Sequence, residues 1–173
     1  MEKESYFDNQ VQIFYIKPHI DNRGVTYNLP QEHTTSYQFI STSAPGTLRG
    51  LHYELDGRAR MVTLVSGHIC DVIVDVREGS PTVGEFVMIP NWYSTEYKHL
   101  WIPEGFAHGF YAYERSTILY NFTKPYNEQF HRIIRWDSLN IPWPNSGKLI
   151  STKDQNGDVW PDLNLFSKTT LRA

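Results

Sequence analysis

From residue 11 to residue 135 the chain is a succession of short runs of β-branched and aromatic residues, each closed by Gly, Pro, Asn or Asp, and almost no window keeps a helical period. That punctuation is the tightest constraint on the fold. Side chains that branch at Cβ or carry rings pack well on a pleated surface and lose freedom in a helix, so the runs read as strands. The expected strands span 11–15, 37–43, 47–53, 60–66, 67–76, 82–89, 99–102, 109–112 and 116–123, with one more around 132–135. Short strands at regular spacing favour a sandwich or barrel over an open α/β sheet. Glu78-Gly79-Ser80-Pro81 joins a residue free to take positive φ to one of fixed φ, which predicts a hairpin turn between 67–76 and 82–89. Only 91–98 and 151–157 have room for a helical turn or two.

With 173 residues, 40% of them hydrophobic, the chain supplies one sizeable core, and a single domain over 1–173 is expected. A formal charge of −3 without any basic run or basic helix face excludes a general nucleic-acid or membrane-surface binder. An anionic ligand must be met by a few local cations. The single cysteine, Cys70, has no intramolecular disulfide partner and sits in Ile69-Cys70-Asp71-Val72-Ile73-Val74, where it reads as a buried strand thiol. Met1-Glu2-Lys3-Glu4-Ser5 lacks the apolar core of a signal peptide, and no apolar run reaches transmembrane length, so a cytoplasmic protein is expected.

Two blocks carry chemistry: Leu48-Arg49-Gly50-Leu51-His52-Tyr53, and Trp101-Ile102-Pro103-Glu104-Gly105-Phe106-Ala107-His108-Gly109-Phe110. His52 is the best general base, because a neutral imidazole of ordinary pKa about 6.5 accepts a proton near neutral pH. Strict alternation along 47–53 puts Leu48, Gly50 and His52 on one face and Arg49, Leu51 and Tyr53 on the other. Arg49 and His52 therefore share a pocket only if a bulge intervenes, such as one at Gly50, or if Arg49 curls round the strand edge. Pro103-x-Gly105-x-x-His108 fits half of a cupin metal motif. The other half needs His-x-His where this chain has His52-Tyr53-Glu54, so neither a metal nor another cofactor is expected.

Together with Asp21-Asn22-Arg23-Gly24, Asp71 to Arg77, Gly79-Ser80-Pro81-Thr82, Leu119-Tyr120, Ile134-Arg135-Trp136, Ile141-Pro142-Trp143-Pro144 and Leu149-Ile150-Ser151-Thr152-Lys153-Asp154, these blocks occur in a familiar order. The chain resembles the dTDP-4-dehydrorhamnose 3,5-epimerase family, nucleotide-sugar epimerases of the cupin superfamily. The resemblance implies an all-β cupin jelly-roll barrel with short peripheral helices, in a homodimer whose N-terminal segment contributes to the neighbour's site. It also implies epimerisation at C3, C5 or both of a nucleotide-linked 4-keto-6-deoxy sugar, in the biosynthesis of a rhamnose-like deoxysugar. Alternatives are a sugar 3,4-ketoisomerase, a single-centre epimerase or a non-catalytic sugar-binding cupin; the joint presence of His52, Tyr120 and Asp154 argues against the binder.

By the same resemblance Asp154 hydrogen-bonds the base and Tyr120 is the acid that reprotonates the enol from the far side. Arg60 stands where the family usually has a lysine facing the enolate oxygen; it is still a permanent cation, but its planar fork is bulkier. Arg23 and Arg49 are candidate pyrophosphate cations, and His108, Tyr126, Tyr27 and Asn28 are further candidate substrate contacts. The nucleotide end departs most. Val25-Thr26-Tyr27-Asn28 lacks the usual phenylalanines and glutamate, and Tyr37-Gln38-Phe39 replaces the usual Gln-Asp-Asn. The base is therefore not fixed by the sequence.

Overall fold

The computed structural model describes residues 2–30, 32–145 and 147–160. The expectation of one domain reaching Ala173 thus extends past the described residues. Two antiparallel sheets face each other in a jelly roll. The six-stranded sheet runs β1 (Glu2–Tyr6), β2 (Val11–Tyr15), β10 (Lys98–Ile102), β7 (Arg60–Ser66), β12 (Ser116–Phe122) and β5 (Tyr37–Ser43). The five-stranded sheet runs β13 (His131–Ile133), β6 (Leu48–Glu54), β11 (Phe106–Ala112), β8 (His68–Asp75) and β9 (Phe86–Tyr93). A separate hairpin joins β3 (His19–Asp21) to β4 (Gly24–Thr26), and one short helix, α1 (Thr152–Gln155), follows the last strand.

The core between the sheets draws on both: Val62, Leu100, Ile102 and Ile118 from one, Ile69, Ile73, Phe106 and Phe110 from the other. The five-stranded sheet is covered on its outer face as well, where Leu48, Leu51, Cys70, Val72 and Val74 pack under Ile134, Ile141 and Trp143. Burial on both faces explains why β8 is an apolar run rather than an alternating one. Cys70 is fully buried there, and burial pushes its thiol up to about 12.

The turn after β8 is built around Asp75. Its buried carboxylate accepts from the Arg77 backbone N–H at 3.0 Å, Arg77 Nε at 2.9 Å, and the Ser80 and Thr82 hydroxyls at 2.6 Å each. Burial opposes ionisation, but these donors hold the carboxyl down at about 2. Residues 81–84 belong to this turn, so β9 starts later than the pattern suggested. It also runs further, because Tyr93 pairs with His68, and the helical expectation over 91–98 shrinks to a single 3-10 turn at Ser94–Glu96.

Candidate active site

A bulge in β6 makes the site. His108 of β11 pairs with His52, but Phe110 pairs with Arg49, so three steps on β6 match two on β11. The extra residue falls at Gly50, whose φ is +121° and whose position leaves no room for a side chain: a Cβ there would meet Gly109 Cα at 2.5 Å and the His108 carbonyl at 2.8 Å. Strict alternation is broken as a result. Leu48, Leu51 and Tyr53 go to the outer core, while Arg49, His52 and Glu54 line one cavity between the sheets.

His52 Nε2 lies 2.6 Å from Asp154 Oδ1. Asp154 sits in α1, whose first turn is capped by Ser151: the Ser151 hydroxyl accepts from the Asp154 backbone N–H. Burial opposes charge on Asp154, yet the contact with His52 and the Gly50 N–H keep its carboxyl below the ordinary range. A carboxylate fixed in this way accepts from Nε2–H and leaves Nδ1 of His52 as the basic nitrogen. Burial lowers the His52 pKa below the ordinary 6.5, Asp154 works against that, and His131 and Arg60 add to it. The imidazole is neutral and ready to accept a proton at neutral pH.

Tyr120 faces the same cavity from β12, on the other sheet. Burial, then the nearby Asp71, raises its phenol well above the ordinary range, so the group keeps its proton. His108 also lines the cavity, with its Nε2 2.9 Å from the fully buried Asp71 and its ring 6.1 Å from that of Tyr120. Arg49 donates from Nε to the Ser43 hydroxyl at 3.0 Å.

Arg60 is held in place rather than free. Its Nη2 donates to Glu54 Oε2 at 2.8 Å, and Arg58 donates from Nη1 to Glu54 Oε1 at 3.2 Å while its guanidinium lies 3.5 Å over the Phe122 ring. His131 Nδ1 contacts the same carboxylate at 3.2 Å. Burial raises the cost of charge on Glu54, but these three partners hold its carboxyl at about 2. Sequence reasoning missed Glu54, Arg58, Asp71 and His131. Asp71 carried a signal of its own, a carboxylate in the middle of an apolar strand, which has to find a partner.

The cavity also takes in Tyr126 and excludes the remaining candidates. Arg23 is exposed on the β3–β4 hairpin and pairs with Asp21 at 2.6 Å. Tyr27 packs 5.1 Å from the Tyr97 ring, and Asn28 lines a different surface groove, with Tyr15 and Lys17. Within one chain, therefore, Arg23, Tyr27 and Asn28 do not meet His52. Among the described residues no group of three His, Cys, Asp or Glu side chains is placed to hold a metal ion; His52 and His108 each turn one ring nitrogen to a carboxylate.

The family model for dTDP-4-dehydrorhamnose 3,5-epimerase matches residues 9–162. The chain belongs to this epimerase family. It is 40% identical over 131 residues to the dTDP-4-dehydrorhamnose 3,5-epimerase of Shigella flexneri, covering 73% of this chain and 72% of that one. Against the Methanothermobacter thermautotrophicus enzyme of the same name it is 35% identical, over 82% and 85% of the two chains. A crystal structure from Legionella pneumophila, an epimerase in complex with dTDP-4-keto-L-rhamnose, superposes with a TM-score of 0.87 at 30% identity, covering 95% of this chain and 93% of that one. As a member of the family the chain is an isomerase. No helix among the described residues is long and apolar enough to cross a membrane.

Proposed function

We propose that this epimerase inverts C3 and C5 of a 4-keto-6-deoxy sugar carried on a nucleoside diphosphate, as a step in making a rhamnose-like deoxysugar. The observation that carries the reading is His52 of one sheet, held by Asp154 of α1, facing Tyr120 of the other sheet. Inversion needs a base on one face of a carbon and an acid on the opposite face. The 4-keto group acidifies the neighbouring C–H bonds, His52 Nδ1 takes the proton, and the electron pair is delocalised onto the carbonyl oxygen. Arg60 stands ready for that oxyanion, with its orientation set by Glu54. Tyr120 then returns a proton from the far side.

The cavity, at about 180 Å³, is smaller than the roughly 300 Å³ at which small-molecule sites begin. It suits the sugar and not the whole nucleotide sugar. The nucleotide must rest on surface outside it, and Arg23, Tyr27 and Asn28, remote from their own cavity, are available to a neighbouring copy. Exposed apolar residues on that hairpin, Ile20 and Val25, and Ile40 on the edge strand β5, are suited to a partner's cover. A homodimer with an exchanged N-terminal segment accounts for both features.

Incubation in D2O with dTDP-linked, UDP-linked and CDP-linked 4-keto-6-deoxy sugars, followed by NMR, tests the reading. Deuterium should enter at C3 and C5 with inversion. Because Asn28 is neutral and offers both donor and acceptor, dTDP should be preferred only modestly. Absence of exchange at either carbon would defeat the proposal.

A further inference from the structure

The cavity holds a second imidazole beside the base. His131 pairs in register with Glu54, and Ile133 with His52, so β13 lays His131 against the base on the same wall. The two rings meet edge to face with centroids 5.0 Å apart. Each has its own carboxylate: Asp154 at 2.6 Å from His52 Nε2, Glu54 at 3.2 Å from His131 Nδ1. Glu54 is itself gripped by Arg58 and Arg60 and stays ionised, so it accepts from His131 Nδ1–H and leaves a lone pair on Nε2. The His131 ring also meets the Tyr126 ring, with centroids 5.5 Å apart.

We propose that His131 is a second proton-transfer residue, which takes from His52 the proton removed from the first sugar carbon and so restores a neutral base for the second carbon. This rests on the epimerase reading above. A single base that inverts two centres in one binding event must be emptied between them, and a sugar seated in the cavity lies over His52 and closes its path to water. In the first inversion the C–H bond breaks, its electron pair enters the enolate and the proton goes to His52 Nδ1. The imidazolium then passes that proton to the lone pair on His131 Nε2, which becomes a cation beside the Glu54 carboxylate. Tyr120, left as a phenolate after donating, recovers its proton from the His108 ring, which takes in turn the proton of the Asp71 carboxyl, whose ionisation burial opposes, so that Asp71 ends as the carboxylate. Water resets both pairs when product leaves.

The test compares wild type, His131→Asn and His52→Ala on a dTDP-4-keto-6-deoxy sugar in D2O. Asparagine keeps an N–H for Glu54 and removes the Nε2 lone pair. We expect His131→Asn to invert the first centre at close to the wild-type rate and the second about tenfold or more slowly, so that singly inverted, singly labelled sugar accumulates. Added imidazole should restore the second inversion. If His131→Asn is poorly folded by its thermal melt, His131→Gln is read in the same way. A wild-type ratio of double to single inversion in the folded variant overturns the proposal, as does equal slowing of both centres that imidazole does not rescue. The reading it rests on is judged separately: His52→Ala should lose exchange at both centres, exchange that survives in it would sink the assignment of His52 as the base, and wild-type protein that shows no exchange would sink the epimerase reading.

Discussion

On the proposed mechanism the 2.6 Å contact between His52 and Asp154 sets two expectations. His52→Ala should lower turnover by about two to four orders of magnitude, the usual cost of losing a general base, while nucleotide binding persists. Asp154→Asn should keep the fold and still slow the reaction, because an amide can donate to the ring and stabilise the wrong tautomer. The pH profile follows from the directions of the shifts. His52 must be neutral and its pKa is lowered, so the acid limb should fall below the ordinary value of about 6.5; Tyr120 must be protonated and its pKa is raised, so the alkaline limb should lie above about 10. A rate that peaks sharply near neutrality would show that other groups titrate. His52, Asp154 and Tyr120 were legible as candidates through the family pattern; by their own residues Asp154 reads as a turn residue and Tyr120 as one of eleven tyrosines. Glu54 and His131 were not, because their meeting depends on the register of β13 against β6, which no local pattern encodes.

At the scale of elements the decisive piece is the β6 bulge. Alternation in the sequence left Arg49 and His52 two ways to converge, a bulge or an Arg49 curled round the strand edge, and it is the bulge that Gly50 supplies, back to back with Gly109. Gly50→Ala should cost at least about 1–3 kcal/mol from the positive φ alone, with more from the clash against β11, and should lower activity even where the protein stays folded, because Arg49 and His52 move apart. Urea unfolding together with turnover checks this; wild-type values for both would mean that the bulge tolerates a side chain. The β8–β9 turn makes a second case. Asp75 is held at about 2, against about 3.9 in an unfolded chain, which is worth roughly 2 kcal/mol of stability. That contribution is complete above about pH 3.9 and is lost as pH falls through about 2. Asp75→Asn should therefore be less stable at pH 7, with the gap to wild type closing in strong acid. Strands β2, β5 and β7 matched their sequence runs, whereas β1, Glu-Lys-Glu-Ser-Tyr, had no apolar pattern to read. It is a strand because β2 offers it an edge.

At the scale of the whole molecule, the chain divides its candidate functional residues between two places. The cavity gathers His52, Tyr120, Arg49, Arg60, His108 and Tyr126, while Arg23 sits on the exposed β3–β4 hairpin. If two copies exchange that segment, each complete site takes its base from one chain and its phosphate cation from the other. Mixing two damaged proteins decides this. His52→Ala and Arg23→Ala homodimers should each be impaired at subsaturating substrate, the first in chemistry and the second in binding. After subunits of the two are exchanged at equal amounts, about half of the dimers are mixed, and in each mixed dimer one site carries both lesions and the other carries neither. Activity should then rise to about a quarter of the wild-type level. If Arg23 instead serves the cavity of its own chain, every site in a mixed dimer keeps one lesion and no activity returns. Recovery on mixing therefore reports which chain completes the site, independently of how well either variant binds alone.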